Sequence, residues 1–281
     1  TFLEAVEPGF LAKPSLARTA GAEAYAALKP DMVILKTAMK ASLGDGLSAL
    51  GIPALYVSLE TPEDYYRDLK AIGSLFAAEA RAEELILYYK AMTARAVNVV
   101  DAAKRKGVVS PRVLVVQAAG GGYEVPPASW MQTALVELAG GIPVWKGANP
   151  GAGWAAVSPE QILVWNPDVV IVISYKEDSA GLARSFKADL RFSSLSSVKQ
   201  GRVYGYAQDF YSWDQPDTRW GLGLAWLSRA LYPDAFASVN GRTDGMDPLE
   251  AEARRFFSLF YGMDKEKYDT VIAPALKGDW R

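Results

Sequence analysis

Two rhythms of apolar positions organise the chain. Short unbroken apolar runs follow Pro-Asp pairs: Leu28-Lys29-Pro30-Asp31-Met32-Val33-Ile34-Leu35 early in the sequence, and Trp165-Asn166-Pro167-Asp168-Val169-Val170-Ile171-Val172 later. Each reads as a helix end, a turn and a strand buried on both faces, because proline lacks an N–H and restricts the residue before it. A second pair repeats the theme. Leu50-Gly51-Ile52-Pro53 and Ala139-Gly140-Gly141-Ile142-Pro143 both set glycine at a helix end ahead of a strand. The paired echoes predict two similar α/β lobes, although two ordinary β–α boundaries would also resemble each other.

Between the echoes the rhythm changes to three or four. Leu85, Tyr88, Met92, Ala96, Val99 and Ala103 predict a helix from about residue 79 to 105, closed by Lys104–Lys106 and Gly107. Such a helix is roughly 40 Å long at ~1.5 Å per residue and suits a stiff link between lobes. An earlier helix starts at Thr61 as cap, with Pro62 at its first position.

The second half alternates between the two rhythms. Strands are expected at Val113–Gln117, Ile142–Trp145, Val169–Ile173 and Val203–Tyr206, with a Gly/Pro loop at Ala118–Pro127. Helices are expected at Ser129–Leu138 (capped by Ser129), after the Ser158-Pro159-Glu160-Gln161 capping box, and at Leu222–Leu231. The first half is shorter, and the expectation is a lobe lacking its first strand and helix. The boundaries drawn are an N-terminal lobe at 1–78, a linking helix at 79–106, a C-terminal lobe at 107–235 and a helical extension at 236–281. Phe256, Phe257, Leu259, Phe260 and Tyr261 give the extension an apolar face, read either as a plain amphipathic helix or as packing for the short lobe.

Composition narrows the chemistry. The 281 residues are 50% hydrophobic, 22% charged and 11% aromatic, with 30 basic against 32 acidic residues. No basic run reaches the length of a polyanion tail, so nucleic acid is not an expected partner, and no apolar run approaches the ~20 residues of a bilayer span. With 0 His and 0 Cys there is no imidazole or thiolate for a triad, a zinc site or near-neutral proton transfer, and no cofactor or protein-held metal is expected.

In doubly wound sheets ligands sit beyond the carboxyl ends of the strands. That rule gathers Lys36-Thr37-Ala38, Gly120–Trp130, Gly147–Trp154 and Asp209–Trp220 as cleft segments. Their rings, Tyr123, Trp130, Trp154, Phe210, Tyr211, Trp213 and Trp220, suit a large, partly planar ligand, with core packing as the competing role for each. Arg219 and Lys36 are expected to meet ligand charge, Arg219 alternatively pairing with a nearby aspartate. Asp209, Asp214 and Asp217 are compatible with glycoside cleavage by paired carboxylates, or with turn chemistry and a cap at Asp217 or Thr218. Gly120-Gly121-Gly122 lacks the lysine and hydroxyl of a phosphate loop and reads as a flexible rim.

Taken in order, Ala27–Ile34, Leu50–Pro53, Val136–Gly141 and Val157–Ile171 resemble the helix-backbone substrate-binding proteins of ABC importers, over roughly residues 17–230. That resemblance implies two Rossmann-like lobes joined by one long helix, a cleft between them, no catalysis, and an extracytoplasmic, secreted or lipid-anchored location. It implies a monomer that takes a metal chelate, a ferric siderophore first and cobalamin or haem next, to a membrane permease. Trp154, four residues before Ser158, matches a cleft aromatic of cobalamin binders, and Glu137 matches a permease-docking carboxylate. The ligand set it implies is Trp154, Tyr123, Trp130, Tyr211, Trp213, Arg219 and Lys36. Any direct tyrosine contact to metal would fall to Tyr123, Tyr175 or Tyr211.

Overall fold

The computed structural model describes residues 2–239 and 248–280 of the chain. These fall into two compact units, residues 1–82 and 83–281.

In the first unit, α1 (Phe2–Val6) and α2 (Ala22–Ala27) precede β1 (Val33–Lys36), α3 (Lys40–Ala49), β2 (Ala54–Val57) and α4 (Pro62–Leu75). The two strands pair in parallel, Val33 opposite Ala54 through Lys36 opposite Val57. Ala22, Val33, Leu35, Leu43 and Leu47 form the core, with Tyr25, Met39, Ile52 and Tyr56 packed around it. The Thr61 hydroxyl accepts from the Asp64 N–H, so α4 begins where its cap and proline place it. Just ahead of it Leu59 sits at φ 58°. The buried Asp68 carboxylate holds that turn by accepting from the Ser58 and Leu59 N–H groups at 2.6 and 2.9 Å.

The helix α5 (Glu79–Arg105) starts in the first unit and runs on into the second. The second unit continues with β3 (Arg112–Ala119), β4 (Gly122–Val125), α6 (Met131–Leu138), β5 (Ile142–Pro143), β6 (Ala155–Val157) and α7 (Pro159–Trp165). Then come β7 (Val169–Ile173), α8 (Ser179–Ala188), α9 (Ser196–Lys199), β8 (Val203–Gly205), α10 (Trp220–Leu231) and α11 (Pro233–Val239). After residues 240–247 follow α12 (Pro248–Tyr261) and α13 (Lys265–Lys267). The sheet order is β6-β4-β3-β7-β8, and β5 takes the start of β3's other edge. Strands β3, β5, β7 and β8 are parallel, whereas β4 and β6 run antiparallel to their neighbours.

Strand β7 is buried along its whole length, as its five β-branched residues require. Each such side chain withdrawn from water contributes about 1.5–3 kcal/mol. The echo seen in the sequence extends to the backbone: Lys29 and Asn166, each before Pro-Asp, adopt φ 50° and 40°, and Gly51 and Gly140 adopt φ 70° and 78°. At Gly140 a side chain would also collide with Val100.

Three local expectations are corrected. The segment Ala118–Pro127 is a hairpin rather than an open loop: β3 runs to Ala119, Gly120 and Gly121 turn at φ 56° and 81°, and Tyr123 pairs opposite Ala118. The cap of α6 is Trp130, not Ser129, with no side-chain hydrogen bond. The strand expected at Ile142–Trp145 is two residues long, and Trp145 is buried in the core.

The C-terminal segment packs within the second unit. Helix α12 buries Leu249, Ala253, Phe256 and Phe257, and Tyr88 of α5 donates to Glu252 at 2.8 Å. Residues 277–279 stitch several elements together. Lys277 and Gln208 exchange backbone hydrogen bonds, Gly278 N–H donates to Asp178, and the Asp279 carboxylate accepts from Gly205 N–H at 2.7 Å. The Trp226 indole donates to the Asp279 carbonyl.

Candidate functional site

The candidate site is described within the second unit, where the loop between β5 and β6 (146–154), the residues after β7 and the loop after β8 (209–220) supply its side chains. The first loop, 146–154, owes its shape to Asn149. Its amide donates to the Val125 and Gly153 carbonyls at 2.9 and 3.0 Å, its oxygen accepts from Gly151 N–H, and its own carbonyl accepts from Ala128 N–H. This buried side chain substitutes for regular structure and leads the chain directly into Trp154. At the start of α6 the Thr133 hydroxyl and Trp130 N–H both donate to the Pro127 carbonyl, which holds Trp130 at the helix entrance.

Three rings then meet in a row. Trp130 and Trp154 contact edge-to-face with centroids 6.0 Å apart and planes at 84°, and Trp154 meets Tyr175 at 6.2 Å and 66°. Tyr175 follows β7 directly and is 39% exposed. Its ring is open while its hydroxyl is engaged, donating to Asp214 at 2.8 Å. Asp214, 0% exposed, also accepts from Ser212 Oγ and from Gln132 Nε2. Burial pushes its carboxyl above the ordinary aspartate range against the pull of those three donors. Burial and the facing Asp214 also push the Tyr175 hydroxyl well up.

The third loop, 209–220, turns its chemistry inward. Arg219 is 2% exposed and grips Asp209 through Nε at 2.8 Å to both oxygens. Its guanidinium lies over the Tyr211 ring at 4.7 Å. The Trp213 indole donates to the same Asp209 at 3.1 Å. Trp213 is 0% exposed, and Gly223 packs so closely on its carbonyl that a side chain there would clash. Asp217 accepts from Arg219 N–H, and desolvation pushes its carboxyl up to about 7 against the opposing pull of Arg219.

These placements sort the residues expected to contact ligand. Trp130 and Trp154 come together, with Tyr175 beside them. Trp213 is corrected to a core residue, and Arg219 to the cationic half of a buried ion pair, the alternative reading its neighbouring aspartates offered. Tyr211 keeps a partly open edge, while Arg219 covers its ring. Tyr123 packs edge-on to Phe186 and Phe192 at 5.3 and 5.7 Å. In the first unit the Lys36 ammonium pairs with Glu60 at 2.7 Å and donates to the Ser58 carbonyl. Glu137 is half-exposed on α6 and paired with Lys146 at 2.5 Å. The glycosidase alternative is also corrected, because Asp209 is locked to Arg219 and Asp214 is enclosed by donors, which leaves no pair of carboxylates facing a sugar. Among the described residues no group of three acidic side chains is placed to hold a metal ion. Gln132, Asn149 and Asp214 each have at least one partner 24 to 82 residues distant, which no local pattern announces.

The sequence profile described as periplasmic binding protein matches residues 12–210. The chain belongs to this family, the substrate-binding proteins of ABC importers. It is a binding protein and not an enzyme, and it works outside the cytoplasm. Among the described residues no helix is long and apolar enough to cross a membrane. The chain is 24% identical over 223 residues to the uncharacterized ABC transporter substrate-binding lipoprotein YvrC of Bacillus subtilis, covering 76% of this chain and 66% of that one, just under two thirds of its length. It is 25% identical over 277 residues to the molybdate-binding protein MolA of Haemophilus influenzae, covering 89% and 72% of the two chains. A periplasmic heme binding protein from Pseudomonas aeruginosa has a similar fold, with a TM-score of 0.63, 25% identity and coverage of 81% and 82%.

Proposed function

We propose that this chain captures a metal chelate, a ferric siderophore first and cobalamin or haem next, and delivers it to an ABC permease in the membrane. One observation carries the reading: three adjacent, partly open rings, Trp130 at the start of α6, Trp154 just before β6 and Tyr175 just after β7, meet in a row. Aromatic faces bind extended organic surface by area burial and stacking, which a chelate offers and a small ion does not. The relatives' cargoes, molybdate and heme, span both kinds and do not choose between them. Lys36 and Arg219, the two cations expected to meet ligand charge, are matched by Glu60 and Asp209.

Delivery would use Glu137, whose half-open carboxylate on α6 exchanges Lys146 for a cation of the permease. Titrating the protein's tryptophan fluorescence with a ferric trihydroxamate, cobinamide and hemin tests capture. Binding of one of them, weakened ten- to a hundredfold in Trp154→Ala, is the expected result, equivalent to about 1–3 kcal/mol. Saturable binding of molybdate with no response to any chelate would overturn the reading.

A further inference from the structure

The open rings differ from the rest of the site in their electrostatics. Trp154 meets both neighbours edge-on, so successive ring planes turn through 84° and 66° and form an aromatic corner rather than a flat platform. Ring faces carry negative quadrupole potential and attract cations, most strongly for tryptophan. Behind the corner stands a carboxylate with no cation of its own. Asp214 accepts from Tyr175, Gln132 and Ser212, all neutral donors, whereas Arg219 is held by Asp209. A tyrosine that donates to a carboxylate has a more electron-rich ring, so Asp214 reinforces the face Tyr175 presents.

A neutral amide braces the same carboxylate and tyrosine. Gln132 is buried, and its Nε2 donates to Asp214 at 2.9 Å and to the Tyr175 hydroxyl at 3.3 Å. The opposite amide orientation would set its oxygen against the Asp214 carboxylate, so the donors fix which way it points. The Gln132 Oε1 is left buried with no hydrogen-bond partner. Buried acceptors are nearly always satisfied, and this one lies on the amide that braces Tyr175.

We infer that the Trp130–Trp154–Tyr175 corner takes an alkylammonium group of the cargo, with Asp214 behind it supplying the opposing charge. This rests on the chelate reading above and adds the charge its cargo carries: a chelate with a pendant ammonium binds, and one with a pendant carboxylate is disfavoured.

The test uses one ferric trihydroxamate in three forms, with a free terminal ammonium, an N-acetyl group or an N-succinyl group, and tetramethylammonium alone as a fourth probe. Each is titrated by tryptophan fluorescence against the full chain, Trp154→Leu and Asp214→Asn, with circular dichroism and thermal unfolding to confirm that each variant folds. The ammonium form should bind at least tenfold more tightly than the acetylated form, and the succinylated form most weakly. In Asp214→Asn the ratio of the ammonium form's affinity to the acetylated form's should shrink severalfold. Equal binding of all three forms overturns the ammonium inference and leaves the chelate reading standing. If no chelate binds but tetramethylammonium gives a saturable signal lost in Trp154→Leu, the corner stands and the chelate reading falls. Silence from all four probes overturns both. Should Asp214→Asn fail to fold, Tyr175→Phe, which removes the hydroxyl and keeps the ring, must lower the ammonium preference for the inference to survive.

Discussion

Two loops of the second unit treat tryptophan in opposite ways: 146–154, rich in glycine, leaves Trp154 partly open, whereas 209–220, rich in aromatic and acidic residues, buries Trp213. The first loop is organised by a neutral side chain, Asn149, whose hydrogen bonds all go to backbone. Trp154 therefore leaves the loop with its ring partly open. In the second loop Asp209 is the organiser, and a buried charge demands a countercharge and further donors. Arg219, the Trp213 indole and the Tyr211 N–H all converge on it. Trp213 is drawn inside as a result. The type of organising residue sets whether the loop's tryptophan stays partly open or is drawn inside, while Phe210 of the second loop remains 44% exposed.

The comparison can be broken at its strongest point first. Arg219→Met leaves Asp209 buried without its cation and should lower stability by about 3–5 kcal/mol in urea unfolding. A loss under about 1 kcal/mol would mean the pair does not organise the loop. Asn149→Ala should cost about 1–3 kcal/mol by leaving buried backbone groups unsatisfied, and it should raise acrylamide quenching of Trp154. Trp154→Ala should move stability by less than about 1 kcal/mol, because its ring is only partly buried, while weakening chelate binding as stated above. That split between stability and affinity separates a displayed ring from a structural one.

The last test concerns pH. Asp217 has its carboxyl raised to about 7 in the folded chain, above the ordinary value of an unfolded aspartate. Between about pH 4 and 7 the folded state therefore holds the extra proton, and stability falls as pH rises through that window. Asp217→Asn keeps an acceptor for the Arg219 N–H and removes the titration. The difference in unfolding free energy between wild type and variant should change with pH across this range and be flat above it. A constant difference from pH 4 to 8 would remove Asp217 from the loop's electrostatics.

Much of the fold was legible because its signals are local. Thr61 and Ser158 cap the helices their spacing announces, and the five-residue apolar run after Pro167-Asp168 is a fully buried strand. The hairpin at Gly120–Gly122 was hidden, since three glycines read as slack until strand β4 is known to return along β3. The site was legible only in part. Trp154 and Trp213 are equally suggestive as letters, and their fates differ through contacts with Asn149 and Asp209. Arg219 looked available for ligand because its partner lies ten residues upstream, across a turn that periodicity does not describe. Tyr175 drew notice only as a possible metal contact, and its link to Asp214 spans 39 residues.

The stitches at residues 277–279 bear on the order of assembly. The loop carrying Asp209 and Asp214 begins at Gln208, which trades backbone hydrogen bonds with Lys277, and the Gly205 just before it is held by Asp279. Loops that close over 74 or 100 residues form late, because the entropy of bringing distant segments together is lost before any contact repays it. The acidic backing of the aromatic corner therefore settles only after residues 277–279 have been synthesised, and a truncation at residue 276 would leave a chain with an intact sheet and an unformed receptor.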